Sequence, residues 1–186
     1  GGGTGSYSLL RGLKRYTDDL TAVVTMFDSG GSTGVLRDEF GILPPGDVRR
    51  CLLALCDEKK QNRILRDLFS YRFDKGSGLS GHSFGNLFLT ALKDITGSDI
   101  EAIEAASTIL NIKGKVLPVT LDKAQLCAEL EDASIIRGET NIDIPKHDGS
   151  LKIKRVFLDQ EAPVEDFRSM ALENKYFPQS HPILQD

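Results

Sequence analysis

The feature that most constrains the fold is the run from Leu20 to Phe27, which is almost entirely apolar and rich in β-branched residues. Runs of this kind are typical of parallel strands that helices cover on both faces. Residues 28–34 follow directly as Asp-Ser-Gly-Gly-Ser-Thr-Gly, a break in regular structure made of small polar residues. Open α/β sheets bind ligands beyond the carboxyl ends of their strands. The pattern therefore predicts an α/β sheet with a binding loop after a central strand.

A second glycine-rich segment, Gly-Gly-Gly-Thr-Gly at residues 1–5, leads into a helix predicted from about Ser6 to Leu13. The backbone N–H groups of such a loop and the dipole of the helix can converge on a phosphate. The spacing is neither that of a Walker A loop nor that of the dinucleotide fingerprint, and a glycine cluster alone is often only a tight turn. Because a phosphate loop follows a strand, we expect the native protein to begin before Gly1.

The third candidate loop is the proline-containing segment from Gly41 to Asp47, and Asp47 is predicted to cap the helix that follows. Arg49 and Arg50 lie in the first turn of that helix, where the dipole disfavours cations. A bound anion would offset this cost. The alternative is that both arginines are solvated at the surface.

The clearest helical period runs from Gly81 to Ile95, beginning at Gly-His-Ser. His82 and Asn86 flank Gly85 at its start, and we include them as candidate ligand contacts although a lone histidine is usually structural. The apolar positions predicted to face the core are Phe84, Leu87, Phe88, Ala91, Leu92 and Ile95. Further helices are expected over residues 60–72 and after a Ser98 cap.

From residue 115 the period changes from helical to alternating, which predicts strands near 115–120, 124–131, 134–144 and 150–158. A turn is expected over residues 147–149. Half-polar strands of this type favour a small antiparallel β subdomain with one wet face.

Composition excludes several classes of protein. The 186 residues are 40% hydrophobic and 27% charged, which is typical of an ordinary globular protein. Lysine and arginine number 23 against 27 acidic residues, so a nucleic-acid binder is disfavoured. No apolar run approaches the roughly 18 residues of a membrane helix, and we expect a cytoplasmic location without membrane insertion. The three cysteines form no C-x-x-C pair and are predicted to be buried free thiols.

Taken together, four segments closely resemble the gluconeogenesis factor family, the YvcK group within the larger YvcK/CofD-like superfamily. These segments are Gly1 to Gly5, Phe27 to Arg37, Gly41 to Arg49 and Gly81 to Leu87. The similarity extends to residues 138–140 and 153–158. Each motif is weak alone, but their order and spacing together are specific to the family.

The resemblance implies an α/β fold: a Rossmann-like three-layer parallel sheet with helices on both faces, plus the antiparallel β subdomain. We expect a nucleotide-binding core over residues 1–114 without its first strand, the antiparallel part over 115–159, and a linker over 160–186 toward a further C-terminal half. The family's later Gly-Pro-Gly-Ser-Leu-Tyr-Thr-Ser motif does not occur in these residues.

The resemblance also implies binding of a UDP-sugar, UDP-N-acetylglucosamine, and a role in cell shape and envelope synthesis during gluconeogenic growth. The alternative is a Mg²⁺-dependent 2-phospho-L-lactate transferase of the CofD type, with Asp28 as the metal ligand. Family members commonly have a second aspartate where this chain has Ser29, which favours a binding protein over a transferase. An NAD-type oxidoreductase rests on the first loop alone, and no acidic residue follows it at the right distance to bind a ribose.

The partners we expect are a small-molecule nucleotide-sugar, further copies of the chain and envelope-synthesis proteins, and no nucleic acid. No catalytic residue is assigned, and Mg²⁺ is a cofactor only if the chain is transferase-like. The predicted ligand-binding residues are Gly2, Gly3, Thr4, Gly5, Ser6, Asp28, Ser29, Gly30, Gly31, Ser32, Thr33, Gly34, Arg37, Pro45, Gly46, Asp47, Arg50, His82 and Asn86.

Overall fold

The computed structural model describes residues 3–58, 62–144 and 150–159. Within this part the elements alternate between helix and strand at first and become strand-rich toward the end. In chain order they are α1 (Gly3–Leu13), β1 (Thr21–Val24), α2 (Gly31–Phe40), α3 (Pro45–Leu55), α4 (Arg63–Ser70), α5 (Phe84–Thr96), α6 (Asp99–Leu110), β2 (Lys115–Pro118), β3 (Leu126–Leu130), β4 (Ile135–Arg137), α7 (Glu139–Asp143) and β5 (Ile153–Leu158).

Two small sheets organise these elements and confirm the predicted α/β fold. β1 and β2 pair in parallel, with Thr21 opposite Lys115 and Val24 opposite Pro118. The second sheet is antiparallel in the order β4-β3-β5. The strand that starts at Lys115 thus belongs to the parallel pair, and the antiparallel sheet starts at Leu126.

The core centres on α3, which is apolar almost all round because it is enclosed by other elements. It contacts α1, α5, α6 and both parallel strands. Leu52, Ala54 and Leu55 have no exposed surface, and burial of this extent is the main source of folding free energy. All three cysteines are buried free thiols, as predicted. Burial raises the pKa of the Cys51 thiol to about 11.

The strand β1 is buried on one face only within the described residues. Ala22 and Val24 are buried, whereas Thr21 and Val23 are exposed. The prediction of a strand covered on both faces is therefore not met here. The continuous apolar run could not distinguish the two faces, because Val23 is as apolar as the residues on either side of it.

The helix α2 occupies a segment that was predicted as a loop. Residues 31–34 have poor helix propensity, yet they form its first turn. Tertiary packing outweighs propensity here, because Ser32, Thr33 and Gly34 are buried and α2 packs on α3 and α5. Gly41 ends the helix in a left-handed conformation with φ 61°, which glycine adopts without steric cost.

The helix α5 begins and ends close to the predicted positions, but its buried face differs from the predicted apolar stripe. The buried residues are Gly85, Asn86, Leu89 and Thr90, while Ile95 is 79% exposed. A polar face can be buried because its side chains are hydrogen-bonded. The Thr90 hydroxyl, for example, donates to the carbonyl of Asn86 at 2.9 Å.

Several other predictions were met only in part. The helix expected over 60–72 is the shorter α4, whose Ile64 is 75% exposed. The strand expected over 134–144 ends at Arg137, since Gly138 takes a positive φ of 87° and α7 follows. Ser98 caps α6 as predicted, accepting the amide of Glu101 at 3.4 Å. The turn over residues 147–149 and the linker over 160–186 lie outside the described residues.

Among the helices that the structure describes, none has the length and apolar character to cross a bilayer.

Candidate functional site

Three helices begin at one cleft. Gly3 starts α1, and its amide donates to the Asp47 carboxylate in the first turn of α3 at 2.8 Å. α2 begins beside the same turn, because a Cβ on Gly46 would lie only 2.5 Å from the Thr33 hydroxyl oxygen. The first N–H groups of a helix have no partner within it, and the dipole makes this end positive. Three such ends together favour an anionic ligand.

The cleft between these helix starts and the antiparallel sheet has a volume of about 500 Å³. It draws its walls from both parts of the chain. Its lining residues are Gly3, Thr25, Phe27, Asp28, Asp47, Arg50, Leu126 and Glu139.

Asp28 follows β1 directly and faces the start of α3. Its Oδ1 accepts the amide of Gly30 at 2.9 Å, and its Oδ2 would lie 2.6 Å from a Cβ on Gly46. Glycine at position 46 is thus required for the carboxylate to approach this turn. Asp28 occupies the strand-end position that the sequence predicted.

The metal prediction for Asp28 finds little support in its surroundings. Among residues 3–58, 62–144 and 150–159, no three His, Cys, Asp or Glu side chains are grouped closely enough to hold a metal ion. Mg²⁺ is often held by one or two carboxylates together with ligand phosphates. An ion at Asp28 would need such phosphates to complete its coordination.

Asp47 does not cap α3. Pro44 occupies the N-cap position, and Asp47 is the third residue of the helix. Its carboxylate instead binds the Gly3 amide and lies 3.4 Å from the Arg50 guanidinium. The sequence placed Asp47 one turn too early because Pro44 and Pro45 were assigned to the preceding loop, although proline is well suited to the first position of a helix.

The two arginines of α3 have different environments. Arg50 lines the cleft with 44% of its side chain exposed. Arg49 is turned toward α5, where it donates to Asn86 Oδ1 at 2.9 Å and to the Phe69 carbonyl at 3.5 Å. Burial, and secondly the charge of Arg50, lowers the pKa of Arg49 to about 10. Arg50 therefore fits the anion interpretation, and Arg49 is neither a cleft residue nor a solvated one.

Ser32, His82 and Asn86 form one network behind the cleft. The Ser32 hydroxyl lies 3.0 Å from His82 Nδ1 and accepts the Asn86 amide at 3.3 Å. Ser32 and Asn86 are both buried. The structure brings these predicted residues together, but it does not place them among the residues that line the cleft. Their role as ligand contacts stays a prediction.

Ser29 is directed at α7. Its hydroxyl accepts the Thr140 amide at 3.1 Å and donates to the Thr140 hydroxyl at 3.3 Å. An aspartate at this position would meet the start of α7. The presence of serine in place of the family's aspartate therefore does not by itself remove a carboxylate from the cleft, contrary to the expectation from the sequence.

The other predicted residues lie at varying distances from the cleft. Thr4, Gly5 and Ser6 form the first turn of α1. Arg37 lies near the C-terminal end of α2, where it pairs with Asp38 at 2.8 Å, and it is not among the cleft's lining residues. Gly2 lies outside the described residues. Gly30, Gly31, Thr33, Gly34, Pro45 and Gly46 form the helix starts that surround the cleft.

Sequence reasoning missed four of the lining residues: Thr25, Phe27, Leu126 and Glu139. Glu139 is the most consequential, because burial and then the charges of Asp28 and Asp143 raise its pKa. The available signal was Gly138, whose positive φ starts a new element. The predicted strand over 134–144 concealed it.

Comparison with known proteins agrees with this geometry. The family described as 2-phospho-L-lactate transferase CofD matches residues 1–173. The chain belongs to the CofD family. Within this family it is 48% identical over 161 residues to the gluconeogenesis factor of Bacillus subtilis, a match that covers 87% of this chain and 49% of that protein. A Nostoc sp. protein provisionally named as a gluconeogenesis factor is 56% identical over 151 residues, which is 81% of this chain and 32% of that protein.

A solved structure shows the same fold. An X-ray structure of a Bacillus halodurans protein superposes with a TM-score of 0.81 at 43% identity, covering 95% of this chain and 54% of that one. A second crystal structure from the same organism, described as a member of the UPF0052 family, gives a TM-score of 0.80. The chain thus spans between a third and about half the length of these CofD-family relatives.

Proposed function

We propose that this CofD-family chain binds a nucleotide-sugar, UDP-N-acetylglucosamine, in the cleft where α1, α2 and α3 begin. In this proposal the bound nucleotide-sugar regulates cell shape and envelope synthesis during gluconeogenic growth, and the protein acts in the cytoplasm. The core over residues 1–114 and the antiparallel part over 115–159 would form the two sides of the site.

The observation that carries the proposal is the convergence of three helix starts beside one exposed arginine. The amides of Gly3 and of the first turns of α2 and α3 are hydrogen-bond donors that suit the oxygens of a diphosphate. Arg50 adds a guanidinium that can donate to phosphate in a bidentate manner. The volume of about 500 Å³ is in the range of small-molecule sites.

The relatives support the regulatory part of the proposal. The Bacillus subtilis protein carries the name gluconeogenesis factor, which describes a factor and not a reaction. Envelope-synthesis proteins and further copies of the chain are the partners that this role would involve.

Calorimetric titration of the full-length protein with UDP-N-acetylglucosamine tests the proposal. We expect binding of wild type and an affinity about ten-fold lower for Arg50→Gln, because one charge-assisted phosphate contact is lost. Arg63→Gln is the matched control, since Arg63 is 79% exposed on α4 and does not line the cleft. No heat of binding at millimolar ligand would overturn the proposal.

A second candidate function is a Mg²⁺-dependent transferase of a 2-phospho-L-lactate group. Two observations favour it: the description of the matching family and the three carboxylates of Asp28, Asp47 and Glu139 in one cleft. Incubation of the full-length protein with the deazaflavin Fo, the guanosine diphosphate-linked donor and Mg²⁺ tests this candidate. Product formation would support it, and its absence while UDP-N-acetylglucosamine binds would leave the regulatory function.

A further inference from the structure

Glu139 brings a carboxylate into the cleft from the side opposite the helix starts. It is the first residue of α7, which follows β4 of the antiparallel sheet, and it lines the cleft together with Asp28 and Asp47. The sequence separation between Asp28 and Glu139 is more than a hundred residues, so only the tertiary fold joins them. The antiparallel sheet thus contributes an ionisable side chain to a site that is otherwise built by the parallel core.

A chain of hydroxyl groups orients this carboxylate. The Ser29 hydroxyl donates to Thr140 Oγ1 at 3.3 Å, and Thr140 Oγ1 donates to Glu139 Oε2 at 3.5 Å. The Thr140 amide donates back to Ser29 Oγ at 3.1 Å. Every hydroxyl hydrogen in this chain has an acceptor, and the directions of donation are mutually consistent. The loop after β1 therefore controls the position of Glu139.

The three carboxylates differ in their capacity to bind a ligand. Asp47 already accepts the Gly3 amide and pairs with Arg50, and Asp28 accepts the Gly30 amide. For Glu139, the hydrogen bond found within the described residues is the long one from Thr140. A carboxylate has about four acceptor sites, so most of the capacity of Glu139 is directed elsewhere.

The chemistry of the cleft separates two parts of a ligand. Phosphate oxygens are repelled by carboxylates and favoured by helix starts and Arg50. Hydroxyl and amide groups of a sugar are donors, and a carboxylate is a strong acceptor for them. We infer that Glu139 is a specificity-determining residue that accepts hydrogen bonds from the sugar of the nucleotide-sugar, and that Ser29 and Thr140 are positioning residues for it. This inference rests on the proposed function and assigns the sugar to one side of the cleft.

The experiment compares two ligands that differ only in the sugar. Calorimetry of the full-length protein with UDP-N-acetylglucosamine and with UDP gives the ratio of the two affinities for each variant. For Glu139→Ala we expect about a ten-fold loss for the nucleotide-sugar and less than about a two-fold change for UDP, since a hydrogen bond to a charged group contributes about 1.5–3 kcal/mol. Glu139→Gln keeps the size and one acceptor oxygen, and it should lose less.

The positioning residues require a readout that mere destabilisation would not change. Ser29→Ala should lower the affinity ratio by about three-fold, and Ser29→Thr should restore it because the hydroxyl remains. Glu131→Gln is the control, since Glu131 is exposed in the turn after β3. Thermal unfolding of each variant shows whether it is folded at the titration temperature.

The possible outcomes separate this inference from the proposed function. If wild type binds neither ligand, the proposed function and this inference both fail. If wild type binds both ligands but Glu139→Ala and Glu139→Gln leave the affinity ratio unchanged, only the assignment of Glu139 fails. A fall in the ratio that Ser29→Ala does not reproduce would overturn the positioning role alone.

Discussion

The Asp47 carboxylate accepts the Gly3 amide at 2.8 Å and thereby joins the start of α1 to the first turn of α3 across 44 positions of the sequence. The same oxygen lies 3.4 Å from Arg50. One carboxylate therefore satisfies an unpaired helix amide, offsets the positive end of a second helix and holds a cationic side chain at the cleft. The stability of this part of the fold and the geometry of the candidate site depend on the same side chain.

Removal of this carboxylate is expected to destabilise the fold. Asp47→Ala should lower the free energy of unfolding by about 1–3 kcal/mol, because a partly buried amide loses its acceptor and the helix start loses a favourable charge. Denaturation by urea measures the change. Asp38→Ala removes an exposed carboxylate that pairs with the neighbouring Arg37, and it should change stability by less than about 0.5 kcal/mol. Equal effects of the two substitutions would contradict this assignment.

A Cβ at Gly46 would displace the groups around the cleft. It would lie 2.5 Å from the Thr33 hydroxyl oxygen and 2.6 Å from Asp28 Oδ2. Gly46→Ala should therefore destabilise the protein by about 1–3 kcal/mol. Gly12 is also helical but has nothing within 4 Å of its Cβ position. Gly12→Ala should stabilise by about 0.5–1 kcal/mol through helix propensity. Thermal unfolding of both variants should give shifts of opposite sign, and a neutral Gly46→Ala would refute the close contact.

The buried guanidinium of Arg49 depends on Asn86. Asn86 Oδ1 accepts from Arg49 Nε at 2.9 Å, and its amide donates to Ser32 at 3.3 Å. Asn86→Ala leaves a buried cation without this acceptor and should cost about 2–4 kcal/mol of stability.

Asn141 is the matched control for this substitution. Its side chain donates to the Arg137 carbonyl at 2.9 Å in an exposed position, so Asn141→Ala should cost less than about 1 kcal/mol. The difference between the two variants, measured by chemical denaturation, isolates the contribution of burial. Similar values would show that the Arg49 network contributes little.

Glu139 predicts a pH dependence of stability. Burial, and secondly Asp28, raises the pKa of its carboxyl in the folded state. Folding therefore favours the protonated form, and the stability associated with it is complete below the ordinary pKa and is lost as pH rises through the raised one.

Glutamine cannot ionise, so Glu139→Gln should be more stable than wild type near neutral pH and equal to it at about pH 4. Thermal unfolding of both proteins between these values measures the difference. Glu131→Gln should show no such crossover. A Glu139→Gln variant less stable than wild type at neutral pH would show that the ionised carboxylate is a net stabilising group. The predicted gain in stability together with weaker sugar binding is the usual opposition between stability and function at a site.

Local patterns predicted much of the fold because they depend on neighbouring residues. Glycines after α2 and α5 ended those helices in left-handed conformations, as their spacing indicated. The same local reasoning failed for residues 31–34, where poor helix formers became helical because α3 and α5 bury them. It also failed for residues 139–143, because a single glycine at 138 changed strand into helix.

The candidate site shows the same division. Asp28, Gly46, Asp47 and Arg50 were predicted from their places at a strand end and helix start, and the structure brings all four to the cleft. Thr25, Phe27, Leu126 and Glu139 were not predicted, because their contribution depends on how the antiparallel sheet sits against the core. Arg49 and Arg50 are adjacent and chemically identical, and only packing against α5 decides that one is buried and the other faces the cleft.

The sequence by itself determined the α/β class, the family and the loops at which the helices begin, because these depend on the order and spacing of residues along the chain. Only the tertiary structure decided which side chains meet. The direction of Ser29 toward α7, the contact of Gly3 with Asp47 and the entry of Glu139 into the cleft all join residues that are distant in sequence. The physical reason is that hydrogen bonding and burial act over a few ångströms in space, whereas sequence patterns report only neighbours along the chain.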